Sequence, residues 1–166
     1  MKTLLGPRQT IFVTTRGKHT VYGKEKQIDN IIPVDWHMPC SIDNFLYAIA
    51  IKKTNLSYHL ILKSQVFVVN FIPMEMKDAV LFCGMHSGLH MDKFKEAKLF
   101  KLNATTIDCC KVSGALGYLE CHVQQIIECD DHVIFLAKVI HKELKGEHKR
   151  LFHYYDNLFV TTDETL

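Results

Sequence analysis

The side chains best suited to ligand chemistry lie close together around the chain's only tryptophan, Trp36. Asn30, His37, Cys40 and Ser41 are near it in sequence and add hydrogen-bonding groups and a thiol to its aromatic face. An aromatic side chain with polar neighbours is suited to contact with a ligand. The alternative is that Trp36 is a large side chain buried in the core.

Two prolines, Pro33 and Pro39, flank the tryptophan and limit the backbone that can position it. Proline breaks a helix and has no N–H to donate inside a sheet, so we expect residues 33–39 to form a strand edge or an irregular crossing. An edge leaves backbone groups free for a ligand. Residues 45–51 are apolar at every position, which predicts a strand buried on both faces.

A helix is predicted from Asn55 to about Ser64 by apolar side chains spaced i, i+4 and i+5 from Leu56. Thr54 or Asn55 would cap its first turn. The free N–H groups and the positive dipole end of such a turn attract anions, so Ser57 is a candidate anion contact. The alternative is a routine exposed serine.

Further strands are predicted from alternation and from β-branched or aromatic content. They span residues 9–14, 21–22, 66–71, 115–129 and 133–140, and an aromatic run at 151–160 follows. Turns are predicted at 16–19, which makes a first hairpin, and at Asp130-Asp131, which closes a long one. Polar residues alternate with apolar ones along 115–129, which predicts a half-buried strand.

Two more helices are predicted in the middle of the chain. The first begins at Pro73, has apolar side chains at 76, 79, 80 and 83, and ends at Gly84 in the position of a left-handed cap. The second has its apolar side at Met91, Phe94 and Ala97.

Hairpins on both sides of a short helical block predict a mainly β fold, an antiparallel barrel with helices added at its rim. No linker composition, internal repeat or low-complexity tract divides the chain, so residues 1–166 are expected to form a single domain. The glycine motifs of Rossmann and P-loop phosphate sites are absent.

Composition excludes several classes of function. The chain is 48% hydrophobic and 23% charged with a net charge of +2, which is typical of one compact domain without a basic field for nucleic acid. No apolar run has membrane-spanning length and the start lacks a signal-peptide core, so we expect no membrane partner and a cytoplasmic location. His86 and His90 have a metal-chelating spacing, but Gly88 lies between them and no metal is expected.

Six short motifs occur in order along the chain. They are Asn30 with Pro33-Val34-Asp35-Trp36 and Pro39-Cys40-Ser41, then Ser57, then Phe67-Val68-Val69-Asn70, then Cys83-Gly84 with Ser87-Gly88 and Asp92-Lys93-Phe94, then Leu119-Glu120-Cys121, and finally Asp131-His132 with Phe135. Together they resemble the flavin reductase-like family of FMN-binding split barrels, and most closely its flavoredoxin branch. The matches extend over residues 9–160.

The resemblance implies a six-stranded antiparallel split barrel of Greek-key type, a homodimer, and non-covalent FMN near the subunit boundary. In one alternative the protein is an enzyme that takes a hydride from NADH or NADPH on FMN and delivers it to free flavin, ferric iron or another acceptor. In a second it is a flavoredoxin-type electron carrier to a protein partner, without its own nicotinamide site. In a third the barrel binds another flat ligand or is a structural dimer.

The resemblance also implies roles for individual residues. Asn30 would hydrogen-bond the flavin or its ribityl chain, and Trp36 would pack against the ring system. Ser57 would contact the phosphate and Lys93 would supply a cation there. His132 would act beside the ring and the nicotinamide, or else only cap its hairpin turn. The other cofactor-binding candidates are Pro39, Cys40, Ser41, Lys53, Thr54, Asn55 and Phe159.

The chain departs from the family pattern at three places. Leu89-His90 follow Ser-Gly where relatives often carry arginine, Ala137-Lys138 stand where Gly-Glu is common, and residues 153–157 replace customary glycines. The last two changes touch the region over the flavin, so the sequence defines the cofactor better than the acceptor.

Overall fold

The computed structural model describes residues 4–21, 23–146 and 148–162. Tyr22, in the predicted first hairpin, lies outside them. The strands in chain order are β1 (Arg8–Gln9), β2 (Ile11–Val21), β3 (Lys24–Val34), β4 (His37–Ser41), β5 (Leu46–Lys52), β6 (Val66–Phe71), β7 (Lys101–Asn103), β8 (Cys110–Val112), β9 (Gly117–Cys129), β10 (His132–Leu144), β11 (Phe152–Tyr155) and β12 (Leu158–Val160). The helices are α1 (Leu56–Ser64), α2 (Lys77–Met85) and α3 (Lys93–Glu96), and a 3₁₀ turn, Met74–Met76, leads into α2.

Seven strands form the main antiparallel sheet, in the order β3-β2-β6-β9-β10-β5-β4. Its edges are β3 and β4, so the segment around Trp36 joins two edge strands, and the prediction from the prolines is confirmed. The resemblance implies six barrel strands; this sheet has seven, and the described residues show no ladder between β3 and β4 that would close it. Two small sheets, β1-β11-β12 and β7-β8, lie beside it.

The main sheet curls around one apolar core. Six of its strands and α1 contribute to that core, so side chains from distant strands meet in the same interior. Its buried members are Ile11, Val13, Val34, Tyr47, Ile49, Ile51, Ile61, Phe67, Val69, Leu119, Cys121, Val123, Val133, Phe135 and Ala137. The helix after Asn55 has the burial that its pattern predicted. In β5 the face of Tyr47, Ile49 and Ile51 is buried, whereas Leu46 and Ala50 on the other face are only partly buried, so the prediction of burial on both faces is confirmed for one face.

A second core lies on the outer side of β2, β6 and β9, where α2, α3 and the β7-β8 hairpin cover the sheet. Phe12, Val68 and Tyr118 from the sheet pack there with Val80 and Phe94 from the helices. Because β9 is covered on both sides over Gly117–Cys121, every residue of that stretch is buried. The predicted half-buried strand is therefore wrong for its first part.

Glu120 is the polar residue that this double burial encloses. Its carboxylate accepts hydrogen bonds from the backbone N–H groups of Thr105 and Thr106 and from the Thr106 hydroxyl, at 2.6–2.7 Å. Burial alone would raise the pKa of this carboxyl, but the three hydrogen bonds outweigh burial and lower the pKa. Glu120 thus fixes the loop between β7 and β8 on the sheet.

The turn predicted at Gly17 and the left-handed cap predicted at Gly84 are both wrong for one physical reason, a close approach of a helix and a strand. At Gly17, β2 continues without a turn, and an added Cβ would lie 3.3 Å from Leu60 of α1. At Gly84, α2 continues to Met85, and an added Cβ would lie 3.3 Å from Pro33 of β3. Both glycines allow helix and strand to approach, and neither reverses the chain.

Candidate functional site

A cleft lies where the middle of β3, the start of α1 and the connection from α2 to α3 meet. Its volume is about 360 Å³. We call it the Lys93 cleft, and its lining residues are Asn30, Ile32, Pro33, Asn55, Leu56, Cys83, Gly84, Met85, His86, Ser87, Gly88 and Lys93. Lys93 is the single charged residue of fixed sign in this set, and the set contains no acid.

Lys93 is 4% exposed, which is unusual for a lysine. Asp92 caps α3 by accepting hydrogen bonds from the N–H groups of Phe94 and Lys95, and Phe94 is buried in the second core. These contacts turn Lys93 inward, where its ammonium donates to the Cys83 carbonyl at 3.0 Å. No carboxylate pairs with it among the described residues, and burial lowers its pKa. The other N–H donors of the ammonium are available to an anion in the cleft.

Asn30 also lines the cleft, and Ser57 lies behind it. Both are buried, and the Asn30 amide donates to the Ser57 hydroxyl at 2.9 Å. Gly88 lies directly against Asn30, since an added Cβ would come within 2.2 Å of its Oδ1. The absence of a side chain at residue 88 therefore allows the α2–α3 connection to close over β3.

The first turn of α1 opens into the same cleft, because Asn55 and Leu56 line it. Asn55 is the N-cap residue, but its side chain makes no capping hydrogen bond. The positive end of the helix dipole and the first N–H groups of α1 therefore add to the field of Lys93.

A second cleft of about 190 Å³, the Trp36 cleft, continues from the first along β3. Its lining residues are Ile32, Pro33, Val34, Asp35, Trp36, Ala50, Ile51, Lys52, Asn55 and His132. Ile32, Pro33 and Asn55 line both clefts, so the two form one groove.

Trp36 is 47% exposed at the far end of this groove, so it is not the buried core residue of the alternative prediction. Its ring packs against the ring of His132, with centroids 5.0 Å apart and planes tilted by 33°. The Trp36 carbonyl accepts from the Ala50 N–H at 2.9 Å, which fixes the backbone between the two edge strands.

His132 lies at the rim of the sheet, where its Nδ1 donates to the Asp131 carboxylate at 2.7 Å. That hydrogen bond lowers the pKa of the Asp131 carboxyl. Because a carboxylate can only accept, Nδ1 carries the hydrogen, and Nε2 is the nitrogen left for other chemistry.

The C-terminal strands meet the groove through Asp35. One Asp35 oxygen accepts from the Thr10 hydroxyl and the other from His153 Nδ1, each at 2.6 Å. His153 Nε2 lies 2.9 Å from the Asp156 carbonyl oxygen, so both ring nitrogens face acceptors. Phe159 packs against the His153 ring at 5.0 Å.

A third cleft, of about 350 Å³, lies between β1 and these strands on the other side of Trp36. Arg8, His153, Tyr154 and Tyr155 are among its lining residues. Trp36 therefore lies between the groove and this third cleft, which is lined partly by aromatic residues of the C-terminal segment.

The groove brings together Asn30, Trp36, Asn55, Lys93 and His132 of the predicted site, with Ser57 directly behind Asn30. The other candidates lie outside the clefts described above. Pro39, Cys40 and Ser41 are on the edge strand β4, Thr54 is exposed, Lys53 pairs with Glu128, and Phe159 is under the His153 ring.

Several groove residues were not among the predicted site residues. Lys52 lines the groove where Lys53 was predicted to act, and Asp35 and His86 also line it. Asp35 was part of a family motif, which was a usable signal. His86 had been considered only as a metal ligand, and the described residues contain no cluster of metal-ligating side chains.

No helix within the described ranges is long and apolar enough to cross a membrane.

Three solved structures share the fold of this chain. The FMN-binding protein of Thermus thermophilus, in a structure with bound 1-cyclohex-2-enone, superposes with a TM-score of 0.81 at 23% identity, over 97% of this chain and 90% of that one. Flavoredoxin of Desulfovibrio vulgaris (Miyazaki F) superposes with a TM-score of 0.82 at 17% identity, over 96% and 89%.

The NADH:FAD oxidoreductase of Streptomyces globisporus superposes with a TM-score of 0.80 at 18% identity, over 96% of this chain and 88% of that one. At these identities the three structures show a shared fold. The model of the flavin reductase like domain matches residues 5–162. The chain therefore belongs to the flavin reductase-like family.

Proposed function

We propose that each subunit binds one FMN non-covalently in the groove and uses it in an NAD(P)H-dependent reaction of the flavin reductase type. The observation that carries the proposal is the buried, carboxylate-free Lys93 at one end of a groove whose other end holds the packed rings of Trp36 and His132. One end suits an anion and the other suits a flat ring.

The Lys93 cleft fits a phosphate in three respects. A buried ammonium without a carboxylate needs a compensating anion, because an unpaired charge in the interior is costly. The start of α1 adds its dipole. The lining residues of the cleft include no acid that would repel the phosphate. In this assignment Asn30, held by Ser57, is the polar contact between the phosphate and the ring.

The Trp36 cleft fits the ring system. Half of the Trp36 surface is free to pack on a planar ligand, and such contacts contribute about 0.5–1.5 kcal/mol beyond buried area. Lys52 and His132 supply polar groups at the rim. When bound, FMN supplies the capacity to accept a hydride and to pass electrons on, which no side chain of the chain has.

His132 is proposed to act beside the ring. Asp131 holds its Nδ1, so Nε2 is oriented to donate or accept a hydrogen bond at the groove. The alternative is that His132 only stabilises the hairpin turn. Its packing against Trp36 supports the first role, since a turn cap needs no contact with the groove.

The split barrel and the homodimer are further parts of the proposal. Edge strand β4 carries the exposed Met38, which lines a small cleft together with Trp36, and the exposed Ile42 follows the strand. A partner subunit would cover them and complete the surroundings of the ring. Light scattering at dilute concentration tests this, and a monodisperse monomer that still holds FMN would contradict it.

The cofactor assignment is tested by equilibrium titration of the apoprotein with FMN, FAD and riboflavin. We expect FMN to bind most tightly, because the phosphate reaches Lys93 and no adenine subsite is assigned. Equal affinity for FMN and riboflavin would refute the phosphate assignment.

The reaction type is tested by mixing the FMN-loaded protein with NADH and with NADPH without oxygen. Rapid bleaching of the oxidised-flavin absorption supports the reductase. Tight FMN binding without bleaching by either nicotinamide would assign the electron carrier of the flavoredoxin type.

A further inference from the structure

His86 lines the Lys93 cleft at the end of α2, and its ring has a fixed position. It stacks on Phe82, with centroids 4.3 Å apart and planes tilted by 24°. Its Nδ1 lies 2.9 Å from the Phe82 carbonyl. A carbonyl can only accept, so Nδ1 carries a hydrogen in every protonation state that keeps this contact.

The neutral ring therefore has its lone pair on Nε2. No hydrogen bond to Nε2 occurs among the described residues. A lone pair repels a phosphate oxygen, whereas an N–H at the same atom donates to it with charge assistance. The protonation state of His86 consequently decides whether this ring opposes or supports an anion in the cleft.

We propose that His86 is the second cation of the phosphate site and holds the phosphate only as imidazolium, so that FMN binding takes up a proton. This inference rests on the proposed function. It assigns the anion contacts of the cleft to one buried lysine and one titratable histidine, in a chain that has Leu89-His90 where relatives often carry arginine.

Four elements around the cleft contribute polar or titratable groups near His86. β3 and α1 contribute Asn30 and Asn55, which do not titrate, and α3 contributes Lys93. α2 itself contributes Cys83, whose pKa burial raises to about 11. Burial lowers the pKa of Lys93, so Lys93 and the phosphate of FMN are the two other groups whose titration contributes to a pH dependence left after His86 is replaced.

The sign of the effect follows from linkage. An imidazole side chain ordinarily changes charge between about pH 5 and 8, and the second ionisation of a phosphate monoester lies near pH 6. Above about pH 6.5 the phosphate is mostly dianionic, while free histidine is losing its proton. The affinity for FMN should therefore fall as pH rises toward 8.5, and riboflavin, which has no phosphate, should not follow.

The experiment measures dissociation constants of the apoprotein for FMN and riboflavin from pH 6.5 to 8.5, in the wild type, His86→Gln and His90→Gln. His90 is exposed, lies on the same connection and does not line the cleft, which makes it the matched control. Calorimetry at pH 7.5 in two buffers of different ionisation enthalpy counts the protons taken up.

We expect the wild type and His90→Gln to lose FMN affinity with rising pH and to take up protons. His86→Gln should bind FMN roughly tenfold or more weakly at pH 6.5, with a smaller pH dependence and less proton uptake. If His86→Gln keeps the pH dependence and the proton uptake of the wild type, the inference about His86 is overturned and the proposed phosphate site is not affected. No preference for FMN over riboflavin at any pH in the wild type would overturn the proposed phosphate site as well.

Discussion

Replacing Lys93 with methionine should separate its contribution to binding from its contribution to folding. In the folded protein the ammonium is 4% exposed, has one hydrogen bond to the Cys83 carbonyl and has no carboxylate partner among the described residues. Methionine keeps the unbranched side chain as far as Cε and removes the charged nitrogen. Folding and FMN binding should therefore respond in different directions.

For folding, the variant loses one hydrogen bond, worth about 0.5–1.5 kcal/mol, and is relieved of a buried unpaired charge, which is costly. We expect stability to change by less than about 1 kcal/mol or to increase. For binding, the loss of a charged hydrogen bond to the phosphate should cost about 1.5–3 kcal/mol, or roughly 10- to 150-fold in Kd for FMN. Riboflavin affinity should not change.

The pH dependence of apoprotein stability gives a second readout. Burial lowers the pKa of Lys93 below its usual 10.5, so between the two values the unfolded chain binds more protons than the folded chain. The wild type should gain stability as pH rises through that range, and Lys93→Met should lack this gain.

The assays are urea denaturation of the apoprotein at several pH values and titration with FMN and riboflavin. Lys95→Met is the matched control, since Lys95 is exposed on the same helix. A variant that is severely destabilised, or one that keeps the wild-type preference for FMN over riboflavin, would refute the reasoning.

Three further changes test separate parts of the structure. Ser57→Ala should destabilise the protein by about 1–3 kcal/mol, because the buried Asn30 amide loses its acceptor, and should weaken FMN binding; chemical denaturation and titration measure both. Glu120→Gln should cost about 1.5–3 kcal/mol at pH 7. The pKa of Glu120 is lowered in the folded protein, so the wild type loses the contribution of this carboxylate as pH falls below 4.5 and the carboxylate protonates. The difference in stability between the wild type and Glu120→Gln should therefore narrow there, and an unchanged difference at low pH would contradict the assignment. His132→Ala should leave the melting temperature nearly unchanged and slow the reduction of bound FMN in anaerobic stopped-flow, whereas a lower melting temperature with normal reduction would make His132 a structural residue.

Local sequence patterns predicted most of the helices and strands, because the spacing of apolar residues along the chain indicates which faces are buried. The apolar spacing from Leu56 predicts α1 with one buried face, and the β-branched run Val66–Phe71 predicts a strand buried on both faces; both have the predicted structure. The turn predicted at Gly17 and the left-handed cap predicted at Gly84 are wrong because glycine suits a turn, a cap and a close approach of a helix equally well. Only the tertiary contact distinguishes these uses.

The site was partly predictable for the same reason. Asn30, Ser57 and Lys93 carry family motifs, and the structure places them around one cleft. Lys52 and Lys53 are adjacent and chemically identical, so choosing between them required the orientation of the last β5 residue. His86 could not be assigned to an anion from sequence, because its role depends on the carbonyl of Phe82 fixing one ring nitrogen.

The pairing of Asp35 with His153 spans 118 residues and had no local signal at all. It is nevertheless the contact that links the C-terminal strands to the residue before Trp36. Such long-range pairs are what a single sequence conceals best, since neither partner is unusual in its own neighbourhood.

The two ends of the groove are supported by different parts of the fold, and this separates two kinds of specificity. At the Lys93 end, Asn30 and Ser57 are buried and joined by a hydrogen bond, so changes to that pair should alter cofactor affinity together with stability, whereas Lys93→Met should mainly alter affinity. At the Trp36 end, the backbone is tied to Ala50 on one side and, through Asp35, to His153 of the C-terminal strands on the other. Substitutions in the C-terminal strands should therefore reposition the aromatic wall without disturbing the Lys93 end, so acceptor specificity and FMN affinity should change independently.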